Sequence, residues 1–170
     1  MTLKISDTLR WFFAGVLLVG LAGCYSFKDV SIPPEVKTVR VQFFENRARI
    51  VNPQLSQQLT DRLRQKIINQ TRLGQVNSDD AHYDISGYIS DYYVTTSGIA
   101  GQQAATNRLN VTVHLVFKNR LNEKQNFETD LSRNFDFDAR LSLNQAESQL
   151  TGQIVQNLVD EIFNRIFSNW

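Results

Sequence analysis

The sequence predicts a two-layer α+β sandwich: a four-stranded sheet, mostly antiparallel or mixed, carrying two helices on one face in the order β-α-β-β-β-α. Three observations predict it. Apolar residues alternate with polar ones at Thr38–Phe44 and again at Arg108–Lys118, the period of a half-buried strand. They recur every four residues at Leu55, Leu59, Leu63 and Ile67, and at Leu150, Ile154, Leu158 and Ile162, the stripe of an amphipathic helix. Two helices with one stripe each, and strands with one apolar face each, are satisfied by packing layer on layer.

In chain order, the first strand places Val39, Val41 and Phe43 on one side. The first helix opens at Asn52-Pro53, a capping residue followed by a residue suited to the first turn, and runs to about Gln70. Gly74 suits a helix exit. Tyr83–Thr96 is strand-like, with Ile85, Gly87 and Ile89 sharing a face; the pattern loses phase at Tyr92-Tyr93, which predicts a bulge or a bent edge. Leu109, Val111, Val113, Leu115 and Phe117 form the cleanest strand, and Phe127, Leu131, Phe135 and Phe137 share one parity in the next. A helix over about Leu143–Phe167 closes the chain. Gly152 inside it costs roughly 1 kcal/mol against alanine, tolerated by length or repaid by close packing. Hairpins make the last three strands antiparallel, and the first strand joins them through a helical crossover.

The amino terminus carries a different signal. Lys4 and Arg10 precede an apolar run, Trp11–Leu21, too short for the roughly 20 residues that span a bilayer. Small Ala22 and Gly23 then precede Cys24, the sole cysteine. This is the cleavage and acylation pattern of a bacterial lipoprotein, with Cys24 as the lipid-attachment residue. Residues 1–23 are expected to be a signal peptide, 24–36 a lipidated tether containing Pro33-Pro34, and 37–170 a single domain. No thiol pair is left for a disulfide.

Charge is balanced overall but divided along the chain. Basic residues dominate Lys37–Arg72 and acidic ones Glu123–Glu161. Either one face suits an anionic partner, or two solvated faces neutralise each other.

Inventory argues against chemistry. His82 and His114 are the only histidines and no metal-ligand spacing occurs, so neither metal nor cofactor is expected. There is no nucleophile elbow and no phosphate cradle. Asp79-Asp80 and Asp136/Asp138 read as solvated carboxylates before acid/base groups. An envelope protein rarely meets nucleic acid, so none is expected as a partner. The chain is not expected to be an enzyme.

Three features could carry binding. Tyr92–Asn107 contains no Asp, Glu, Lys or Arg, and Gly98, Ile99 and Gly101 sit at its tip, either a plain flexible loop or a partner contact. Phe163, Phe167 and Trp170 lie nearly opposite the main stripe of the last helix and must be covered by the fold or by a partner. Arg62, Arg64 and Lys66 border the stripe of the first helix, where they either snorkel or bind phosphorylated lipid.

With these pieces in place, the chain resembles the LptE-like lipopolysaccharide-assembly lipoproteins in their short Bacteroidetes-type form. The resemblance rests on Leu-Ala-Gly-Cys-Tyr-Ser-Phe at 21–27, Ser-Ile-Pro-Pro at 31–34, the 37–44 strand running into Phe-Phe-Glu-Asn at 43–46, Leu-Ser-Gln-Gln-Leu-Thr at 55–60 and Tyr-Asp-Ile-Ser-Gly-Tyr-Ile at 83–89. It implies an outer-membrane lipoprotein facing the periplasm. Such a protein plugs an LptD-like β-barrel translocon, helps assemble it and binds lipopolysaccharide. Tyr25 after Cys24, in place of the aspartate that retains enteric lipoproteins in the inner membrane, agrees with the outer membrane.

Overall fold

The computed structural model describes residues 32–100 and 103–168; the side chains of 99, 100 and 103–105 lie outside that description, as do Cys24, Gly101 and Trp170 altogether. Eight main elements follow in order: β1 (Thr38–Val41), β2 (Glu45–Asn46), α1 (Pro53–Gln70), β3 (Gly74–Gln75), β4 (Tyr83–Ala100), β5 (Gln103–Asn119), β6 (Phe127–Asp138) and α2 (Leu143–Phe167). The sheet order is β3-β1-β4-β5-β6, with β2 beside β4 further along the same edge. β1 and β2 run parallel to β4, and β4, β5 and β6 are antiparallel, so the sheet is mixed. The expected α+β sandwich is what forms. The added strands, β2 and β3, are two residues each, too short to register as alternation.

The first strand departs from its expected phase. Pairing to β4 is interrupted after Val41, and Phe44, not Phe43, enters the core: Phe44 is fully buried while Phe43 is 47% exposed. The interruption is held by tertiary bonds. Gln42 N–H donates to Ile85 O at 2.9 Å, and Phe44 N–H donates to Thr60 Oγ1 at 3.0 Å. The Phe44 ring fills the space above Gly87, where a Cβ would come within 2.7 Å of it and 2.3 Å of the His114 carbonyl.

α1 starts as expected, with Asn52 Oδ1 accepting from Leu55 N–H at 3.1 Å and Pro53 in the first turn. It ends on Thr71, whose N–H and hydroxyl both donate to Ile67 O, while Gly74 begins β3. The glycine exit is therefore corrected: a threonine side chain satisfies the last carbonyl, and no left-handed residue is required. α2 opens with a capping box between Ser142 and Gln145.

Both helices cover one face of the sheet. Leu55, Leu59, Leu63 and Ile67 of α1 meet Ile154, Leu158 and Ile162 of α2 above Val39, Ile85, Ile89, Val111, Val113 and Leu115. Each such side chain contributes roughly 1.5–3 kcal/mol on burial. β4 loses register between Ile89 and Asp91, the bulge foreshadowed by the phase loss, and Tyr92 thereby turns inward. The other face stays polar and bears Arg40, Asp84, Tyr88, His114, Thr112 and Asn110.

Candidate functional site

The strands give the molecule two ends. At one, Ile32 and Pro33 lie with Tyr83, Phe117, Phe127 and Phe167 around a cavity of about 570 Å³. At the other, β4 and β5 run past the last β6 pairing, Thr106 with Asp138, to Ala100 and Gln103. Eighteen residues of β4 separate the ends by roughly 50 Å.

The three basic residues of α1 part company. Lys66 donates to Asp160 of α2 at 2.5 Å and stands over the Phe163 ring at 4.9 Å, its side chain only 18% exposed. Arg64 donates through Nη2 to the Val41 carbonyl at 2.8 Å, capping the strand where its pairing breaks. These two work within the fold, as snorkelling residues do. Arg62 alone points outward, bonded to Gln65 at 2.9 Å. It borders a groove of about 580 Å³ between the helices, together with Gln58, Ile68, Gly152 and Gln156. A Cβ at Gly152 would meet nothing within 4 Å, so close packing does not explain this glycine.

Phe163 and Phe167 are corrected from candidate contacts to core residues, at 3% and 6% exposed. Their ring centroids lie 4.8 Å apart with the planes tilted by 42°, and Phe167 lies 6.3 Å from Tyr83. α2 packs against α1 on one flank and the sheet on the other, so both of its apolar sectors are covered. Trp170 lies outside the described residues. At the hairpin, Gly98 pairs with Thr106 and Ile99 with Ala104, so these two residues belong to strands and not to a loop; Gly101 lies outside the description.

A buried tie joins the hairpin to both helices. Tyr92 Oη donates to Glu147 Oε1 at 2.6 Å, and the same oxygen accepts from Asn52 Nδ2 at 3.1 Å. Burial first, then the Glu147 carboxylate, pushes the Tyr92 phenol well above its ordinary value and keeps it a donor. Beside it lie exposed Ile50, Val51 and Tyr93, at 39%, 58% and 48%. Sequence reasoning missed Ile50 and Val51, because no periodicity marks an apolar pair in a loop.

Three of the four candidate acid/base carboxylates are taken by arginines, and the fourth, Asp80, is held below its ordinary value first by a hydrogen bond from Ser78. Asp79 pairs with Arg40, Asp136 with Arg108 at 2.7 Å, and Asp138 with Arg140. Arg108 holds the Asp136 carboxyl below the usual range, and Arg140 brings Asp138 down to about 2. Such groups stay ionised at neutral pH and make poor general acids. His114 pairs with Asp130 at 2.7 Å, and His82 Nδ1 accepts from Lys37 N–H. Among the described residues no three of His, Cys, Asp and Glu gather as a metal site, and no helix is long and apolar enough to cross a membrane.

Residues 36–166 match the LptE family, described as lipopolysaccharide-assembly. The chain belongs to this family. No curated protein sequence matches the chain significantly. Among solved structures, this LptE-family chain is similar to a minor lipoprotein from Acinetobacter baumannii, at 19% identity and TM-score 0.53, covering 79% of this chain and 94% of that one. It is also similar to a hypothetical protein from Chlamydia trachomatis, at 11% and 0.55, covering 78% and 96%. An uncharacterized lipoprotein B from Nitrosomonas europaea follows at 17% and 0.50, covering 81% and 89%. At these identities the likeness is one of fold. The α+β architecture of this LptE-family chain is thus shared, and the family ties it to lipopolysaccharide assembly.

Proposed function

We propose that this chain is an outer-membrane lipoprotein, acylated at Cys24, that plugs and helps assemble the β-barrel lipopolysaccharide translocon and binds lipopolysaccharide during transport. The observation that carries the reading is the family match across residues 36–166, almost the whole domain. The two-ended shape supports it. The chain enters the domain beside Tyr83 and Phe167, and the uncharged β4–β5 hairpin extends from the opposite end. A tether at one end leaves the hairpin free to enter a partner. For lipopolysaccharide, Arg62 is the cation of its helix engaged by neither a carboxylate nor a main-chain carbonyl, its one partner being the neutral Gln65 amide, and its guanidinium matches a phosphate.

Co-purification of a large β-barrel with the tagged protein from detergent-solubilised outer membranes tests the central claim; its absence after crosslinking counts against it. In a lipopolysaccharide titration, Arg62→Glu should weaken binding, and added salt should weaken it further.

A second reading retains the envelope assembly role but limits it to protein contacts. It is favoured by the engagement of Arg64 and Lys66 within the fold. An absence of lipopolysaccharide binding, with the barrel still retained, decides for it.

A further inference from the structure

The sheet leaves one long strand edge bare. β2 stops at Asn46, opposite Ile89, and among the described residues no backbone hydrogen bond reaches the outer side of β4 beyond Arg47 N–H to Ile89 O. Ile85 and Ile89 aim their carbonyls at this outer side. The register shift at Ser90 reverses the parity, so the outward backbone groups beyond it are those of Tyr92, Val94 and Thr96. The opposite edge of the sheet, on β6, is blunted by Glu128, Asp130, Arg133 and Asp136, whereas Tyr92–Thr96 has neither a charge nor a proline. An unguarded edge is a template for pairing.

We infer that the outer edge of β4 at Tyr92, Val94 and Thr96 takes an extended segment of the barrel partner by backbone pairing, its side chain entering the cavity beside Arg49. This rests on the translocon reading above. The cavity, about 410 Å³, opens beside Arg49 and Ile50 and runs past Tyr92 and Val94 across the sheet end to Phe137 and Leu143. Arg49 is exposed and forms no ion pair among the described residues, so the incoming segment carries an acidic residue there and small or apolar residues along the hairpin. Main-chain bonds supply affinity, and the cavity supplies choice of side chain. The protein's own leader does not reach. With cleavage before Cys24, residues 24–31 extend at most about 28 Å, and Ile32 lies beside Tyr83, roughly 30 Å of strand from Tyr92 and roughly 40 Å from Thr96, so the leader cannot pair along this edge.

The test uses the full chain, acylated and tagged, with its barrel in detergent. Wild type and Thr96→Val should retain the barrel equally. Thr96→Pro, which removes one outward N–H and leaves the β5 pairing intact, should reduce retention roughly tenfold with unchanged circular dichroism. Equal retention by Thr96→Pro overturns the inference alone; a wild type that retains no barrel overturns the translocon reading and this with it. Sedimentation showing a wild-type dimer that Thr96→Pro dissolves would assign the edge to a second copy, also against the inference. Should Thr96→Pro misfold, p-benzoylphenylalanine at position 96 must crosslink to one extended barrel segment carrying an acidic residue; no crosslink at 96 overturns it.

Discussion

The ring of Phe44 occupies the space that any side chain at position 87 would need, and the backbone N–H of Phe44 depends on a hydroxyl from α1. Gly87→Ala should therefore lose about 1–3 kcal/mol in chemical denaturation, because both the ring and the β5 backbone would have to shift. Thr60→Val preserves shape but leaves the buried Phe44 N–H without an acceptor, and should also cost about 1–3 kcal/mol. Gly152→Ala should go the other way, gaining about 1 kcal/mol, since a methyl there meets open space and helix propensity improves. Asp84 adds a pH dependence. Burial works against its charge, but the paired Arg40 guanidinium, at 2.8–2.9 Å, and Gln42 overcome it and hold the carboxyl below its ordinary 3.8. A depressed carboxylate stabilises the fold above its unfolded value, and that stability is lost as pH falls through the folded one. Denaturation followed from pH 6 to pH 2 should show a shallower acid limb for Asp84→Asn than for wild type.

At the level of elements, the helices were readable because their stripes are local, although the exit of α1 lies at Thr71 and not at Gly74. Asn52-Pro53 caps α1, Ser142 and Gln145 cap α2, and the four-residue spacing survives whatever lies opposite. The first strand was half readable. Alternation located it, yet placed Phe43 inside, because the break after Val41 depends on Thr60 and Gly87, neither of them a neighbour in sequence. The β4 bulge was visible as lost phase, and the tie it positions was not. Tyr92→Phe should cost about 1.5–3 kcal/mol, the worth of a hydrogen bond to a charged group, and should loosen the hairpin first. Hydrogen exchange at the amides of 92–98 should accelerate more than at 83–89, where β1 and β2 cover the edge.

For the whole molecule, the described chain enters the domain at the end opposite the hairpin, a polarity that the proposed acylation at Cys24 would put to use. Cys24→Ala should release or misplace the protein while leaving the thermal unfolding of the domain unchanged, because the described core begins only at Ile32 and Val36. Palmitate labelling that persisted in the mutant would contradict the anchor. The candidate site was only partly legible in sequence. Arg62, Arg64 and Lys66 look equivalent beside their stripe, but the break in β1 claims Arg64 and an acid on α2 claims Lys66. Phe163 and Phe167 look orphaned on a helical wheel, yet two layers enclose them.

What the chain determines by itself is whatever depends on neighbours in sequence: the helix stripes, the strand parities and hence the sandwich. Strand order, the depth of each cation and the bare edge of β4 were decided only by the tertiary structure. Periodicity records which side of an element is apolar; it carries no record of which other element covers that side, and an edge exists only where a neighbour ends.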